Sequence, residues 1–90
     1  MNIKELIKER TATHGEFSYH ASTSQGLKRI LRLGTKWHTL PPTVQESLEM
    51  IMHKIARITN GDCQHLDSWY DIQGYAELII QELEDLKKGF

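Results

Sequence analysis

Apolar residues recur at helical spacing along this chain, and no stretch alternates between apolar and polar positions over the length of a strand. Ile3, Leu6 and Ile7 mark a short first helix over residues 2 to 11, anchored by few apolar groups. Residues 12 to 21, ATHGEFSYHA, have no period and read as a loop pinned by Phe17 and Tyr19, its histidines facing solvent. Ser22 followed by Gln25 makes a capping box for a second helix over about 23 to 33, with Leu27, Ile30 and Leu31 on its apolar side and Gly34 ending it. Pro41 and Pro42 suit the first turn of a third helix, where their missing N–H groups cost nothing. This helix runs to about Asn60, with Val44, Leu48, Ile51, Met52, Ile55 and Ile58 as one apolar stripe, and Asn60-Gly61 stops it. A fourth helix, from Asp67 or Ser68 to about Lys87, buries Trp69, Ile72, Ala76, Ile79, Ile80 and Leu83. The expected architecture is a single all-α domain over residues 1–90, a small helical bundle built on a long antiparallel hairpin.

Length changes that picture in one respect. Ninety residues lie near the lower end of what buries a core alone. Trp69, Tyr70, Tyr75 and Ile80 also spread wider than one hairpin seam covers, so self-association, with a dimer favoured, is expected. A formal charge of −1 gives no strong nucleic-acid signal; the best local patch, Lys28, Arg29, Arg32 and Lys36, is modest. Cys63 is the lone cysteine, which excludes an internal disulfide and fits a reducing cytoplasm. No apolar run approaches membrane-spanning length.

The segment ESLEMIMHKIARITNGDCQHLDSWYDIQGY carries the candidate chemistry. Glu46 and Glu49 are three apart and Asp67 and Asp71 four apart, spacings that keep each pair on one side of its helix. Carboxylates gathered in this way hold Mg2+ against phosphate oxygens. His53, Lys54 and Arg57 lie in the same neighbourhood and could neutralise the acids instead. If the turn centres near residue 62, antiparallel register sets Arg57 beside Asp67, His53 beside Asp71 and Met50 beside Gly74. Salt bridges and a metal centre therefore compete for the same carboxylates. Glu46, Glu49, His53 and Arg57 share a sector nearly opposite the apolar stripe, which on its own reads as a solvated face. Asp67 doubles as a candidate N-cap. Gly74, in mid-helix, suggests close approach by a ligand or a neighbouring backbone. His14 and His20 together with His53 suggest a transition metal, but their spacings match no standard zinc motif.

The series ER, THGEF, SQGLK, Trp37, QESLEMIMHKIARITNGD and DSWYDIQGYAELI resembles a family of small phage and prophage proteins of unknown function over about residues 9 to 80. That resemblance implies a helical protein of the host cytoplasm and brings no reaction. A more distant similarity is to the MazG-like all-α nucleoside triphosphate pyrophosphohydrolases, which hold magnesium with Glu-x-x-Glu on one helix and Glu-x-x-Asp on the next. Glu46 and Glu49 match the first motif. Asp71 resembles the closing aspartate of the second, whereas Asp67 stands one residue too far upstream and is not glutamate. This similarity implies magnesium bound by Glu49, Asp71, Glu46 and Asp67, a metal-activated water attacking a triphosphate, Lys54 and Arg57 neutralising charge, and Tyr75 or Trp37 against a base. A complete pocket would then lie between subunits. Two readings follow: a magnesium-dependent nucleotide-binding or nucleotide-hydrolysing domain, and a noncatalytic phage accessory protein that binds a host protein or sequesters a nucleotide signal.

Overall fold

The computed structural model describes residues 1–88. They form four α-helices, α1 (Ile3–His14), α2 (Phe17–Leu31), α3 (Pro42–Asn60) and α4 (Leu66–Lys88), and one 3-10 turn at Trp37–Thr39, with no strand among them. The all-α expectation holds, but the first two helices begin and end elsewhere than expected. The segment expected as a loop over 12 to 21 is almost wholly helical, and only Gly15 and Glu16 separate α1 from α2. Ser22 and Gln25 lie inside α2 and cap nothing; Glu16 precedes that helix without a side-chain cap. A capping box does form at α1, where the Asn2 side chain accepts from the Glu5 amide and Glu5 reaches back to the Asn2 amide.

Gly15 permits the abrupt change of direction between α1 and α2. Its φ of 81° is a conformation that residues with a Cβ rarely adopt. It also lies so close to α3 that a Cβ there would run into the Asn60 carbonyl. Gly61 presses from the other side, where a Cβ would run into the backbone of Thr13 and His14. The Asp62 amide donates to the Thr13 carbonyl at 2.8 Å across this contact. Two glycines thereby lock the α1–α2 corner onto the end of α3.

Helices α3 and α4 form the expected antiparallel hairpin. Lys54 pairs with Asp71 at 2.9 Å, and the Thr43 hydroxyl bonds Glu82 at 2.8 Å, both consistent with a turn centred between residues 62 and 63. Helix α2 meets α3 elsewhere on its circumference. The contacts from α2 fall on Glu49, His53, Ala56 and Asn60, close to opposite the Ser47, Lys54 and Asp71 seam with α4. Helix α3 is thus the middle of a layer, with α2 on one side, α4 on the other and α1 laid across one face.

This layer leaves much of the expected core half-covered. Val44, Leu48, Ile51, Met52, Ile55 and Ile58 are all only half-buried, and the buried apolar residues among those described are Trp37 and Ala56. Trp69, Ile80 and Leu83, expected inside, are about half exposed. The molecule measures 51 × 26 × 22 Å with a radius of gyration of 15.6 Å. A 90-residue globular domain has a radius of about 12 Å.

Candidate functional site

The face of the layer that carries α1 holds a cavity of about 460 Å³. Its walls are Ile7, Arg10, Thr11 and His14 from α1, Gly15, Phe17 and His20 at the corner and in α2, and His53 and Arg57 from α3. Helical geometry explains the convergence. Ile7, Thr11 and His14 follow one another at i, i+4 and i+7 on a single face of α1. His20 begins the inward face of α2, which continues through Ser24, Leu27 and Leu31. His53 and Arg57 are one turn apart on α3. The Gly15–Gly61 contact holds the three elements at this corner.

Within the cavity, the imidazoles of His20 and His53 meet edge to face with ring centroids 4.6 Å apart. His20 is only 6% exposed, whereas Phe17 is 78% and Tyr19 65% exposed. The expectation of aromatic anchors with solvent-facing histidines is therefore reversed for this pair. His14 is half-buried and packs edge-on against His65 of the α3–α4 turn, at 5.6 Å between centroids. The Nδ1 atoms of His14 and His20 are buried without a hydrogen-bond partner. Each such atom costs about 1–3 kcal/mol relative to a satisfied one.

All three histidines are held neutral near pH 7. Burial pulls His53 down to about 4, and the neighbouring Arg57 guanidinium adds to the shift, with His20, Lys28 and Lys54 contributing less. Burial and then Arg57 also lower His20, against an opposing hydrogen bond to the Ala56 backbone. His14 is lowered by burial, then by Arg57 and His65. The fixed positive charge of the cavity thus comes from Arg10 and Arg57, neither of which has a carboxylate within 4.0 Å among the described residues.

The four carboxylates read as metal ligands are dispersed. Glu49 accepts from Nε and Nη2 of Arg32 at 3.1 and 2.9 Å, through one oxygen. Asp71 pairs with the buried Lys54. Asp67 lies in the first turn of α4, with the His65 ring 3.9 Å away. Glu46 is exposed on a separate, open hollow that it shares with Thr43, Tyr75 and Glu82. No group of three or more metal-ligating side chains gathers among the described residues, the three histidines included. Gly74 meets nothing within 4 Å and borders a shallow depression beside Tyr70 and Asp71, so no neighbouring backbone approaches it. Of the residues expected at a ligand, His53 and Arg57 line the α1 cavity, while Lys54 and Tyr75 do not.

Arg10 and Phe17 were outside the expected ligand set, and His14 and His20 were weighed only as metal ligands and otherwise read as facing solvent. The signal for them is the 3,4,3,4 spacing of His20, Ser24, Leu27 and Leu31 counted from Phe17, in which polar residues occupy two inward positions. Compared with protein-family models, curated proteins and solved structures, the chain matches none.

Proposed function

We propose that this protein is a noncatalytic binding protein that holds a small phosphate-bearing molecule in the cavity between α1, α2 and α3. The observation that carries this reading is the pair of unpaired guanidiniums, Arg10 and Arg57, on a wall that also offers Ile7 and Phe17. Guanidinium forks suit phosphate oxygens, and the apolar side suits a ring such as a nucleobase. A volume of about 460 Å³ lies within the usual range for small-molecule sites. Neutral imidazoles add one donor and one acceptor each, which orients a ligand without adding fixed charge. In a phage-encoded chain, as the HKIARI and DSWYDIQGYA segments suggest, the role is to sequester a nucleotide signal in the host cytoplasm. The magnesium-dependent hydrolase reading draws its support from Glu46-x-x-Glu49 and Asp71, and it requires Glu49 to leave Arg32 and Asp71 to leave Lys54.

Calorimetry with inorganic phosphate, AMP and ATP, each with and without Mg2+, separates the two. Capture in the α1 cavity gives binding without magnesium, at least tenfold weaker in Arg57→Gln, or about 1.4 kcal/mol, and unchanged in Glu49→Gln. Binding that requires Mg2+ and is lost in Glu49→Gln and Asp71→Asn, with pyrophosphate released from ATP, establishes the hydrolase instead.

A further inference from the structure

We propose that the bare face of the α2–α3–α4 layer, opposite the α1 cavity, is where a second copy of this chain packs, layer against layer about a two-fold axis. At about 100° per residue, Leu48, Met52 and Ile55 project between the α2 and α4 seams on the side of α3 away from Arg57. Ile30 flanks them from α2, and Trp69, Ile80 and Leu83 from α4. On α4 the exposed Glu77, Glu84 and Lys87 border this apolar stripe, one helical turn from Ile80 or Leu83. The Trp69 ring is held by its Nε1 donation to the Cys63 carbonyl at 2.8 Å, which presents a rigid aromatic anchor of the kind interfaces favour.

Area identifies the occupant. The chain exposes 6837 Å², whereas a folded monomer of 10.5 kDa exposes about 5,400 Å². The excess, roughly 1,400 Å² per chain, corresponds to about 2,800 Å² in a pair, within the range of obligate homodimers and well above that of weak encounters. A net charge of −1 sets up little repulsion between copies. A two-fold axis lets one apolar face cover itself. Glu46, Asp71 and the cavity lie on other sides of the layer, so pairing leaves the cavity open and does not rest on the ligand reading.

Light scattering and sedimentation of the full chain at micromolar concentration test this directly. A species of twice 10.5 kDa is expected. Ile80→Glu with Leu83→Glu is expected to raise the dissociation constant at least tenfold, while Leu78→Glu, exposed on the other flank of α4, leaves it unchanged. A monomeric wild type overturns the proposal, as does a dimer indifferent to the paired substitution. Should that variant fail to fold, the wild-type thermal midpoint decides. A midpoint that rises with protein concentration supports the dimer, and one independent of concentration overturns it. A wild-type monomer that acquires a defined mass only with a different protein assigns the face to that partner instead.

Discussion

The two faces of the α2–α3–α4 layer use the same helices for opposite ends. On one, α1 folds across His53 and Arg57 and lines a cavity with imidazoles and guanidiniums; on the other, Leu48, Met52 and Ile55 are half-buried and no helix among the described residues crosses them as α1 crosses His53 and Arg57. The chain has thus spent its only spare helix on a polar face. For a protein limited by core size, apolar cover would have been the more stabilising use. The contrast assigns ligand chemistry to the covered face and association to the bare one.

The largest expected effect tests how little intrachain core lies between these faces. Among the described residues Trp37 is the one large apolar side chain that is buried, and Gln45 Nε2 donates to its carbonyl at 2.8 Å. Trp37→Ala is expected to cost about 3–5 kcal/mol in chemical denaturation. A loss below about 1 kcal/mol would mean that the chain's stability resides almost wholly in the bare face.

Next comes the hairpin seam. Lys54 is 8% exposed and has Asp71 as its charged partner, so Asp71→Ala strands a buried ammonium. Because the aspartate itself is exposed, the expected cost is about 2–3 kcal/mol, below the roughly 3–5 kcal/mol of a fully buried pair. Urea denaturation checks it. A neutral result would return Asp71 to the set of carboxylates free to serve a ligand.

Acid should act through the covered face. Folding holds His53 at about 4 against 6.5 for the unfolded chain, and lowers His14 and His20 in the same direction. The unfolded chain therefore takes up protons that the folded chain refuses, and stability falls as pH drops from about 6.5 toward 4. Allowing for solvent screening, His53 contributes a loss on the order of 2 kcal/mol. The groups facing it are Arg57, His20, Lys28 and Lys54, all of which oppose its charging. Denaturant midpoints across this range should slope in wild type and slope less steeply in His53→Gln, where His14 and His20 remain. An equal slope in both would place the acid sensitivity elsewhere.

The smallest effect is expected at Glu49. Its partner Arg32 is exposed, and such pairs contribute about 0–1 kcal/mol, so Glu49→Gln should scarcely move stability. A larger loss would show that this ion pair helps hold α2 on the layer.

Much of the hairpin was legible in the sequence because it follows simple periodicity. The Pro41-Pro42 start, the Asn60-Gly61 stop and the register near residue 62 all agree with the structure. The first third was misread for a physical reason. Periodicity finds helices by their apolar side, and α2 turns His20 and Ser24 inward, so its first half looked like a loop. The charged sector of α3 was misread in the same way, because α2 and α1 cover it with polar partners. The acids were visible as pairs along the chain, but which base each would meet depended on where α2 docked, and helical spacing does not specify that. Lys54 rather than His53 reaches Asp71 because the two neighbours on α3 diverge by about 100°.

Helix α1 has a further consequence, for kinetics. It has no buried residue, and it is held chiefly by its own capping box and by the backbone contact at Gly15 and Gly61. A segment held so locally opens as a unit at a free energy far below that of global unfolding. Its amides are therefore expected to exchange hydrogen for deuterium ahead of those of α3. Since α1 is one wall of the cavity, an occupant that bridges Arg10 to Arg57 would slow exchange along the whole helix.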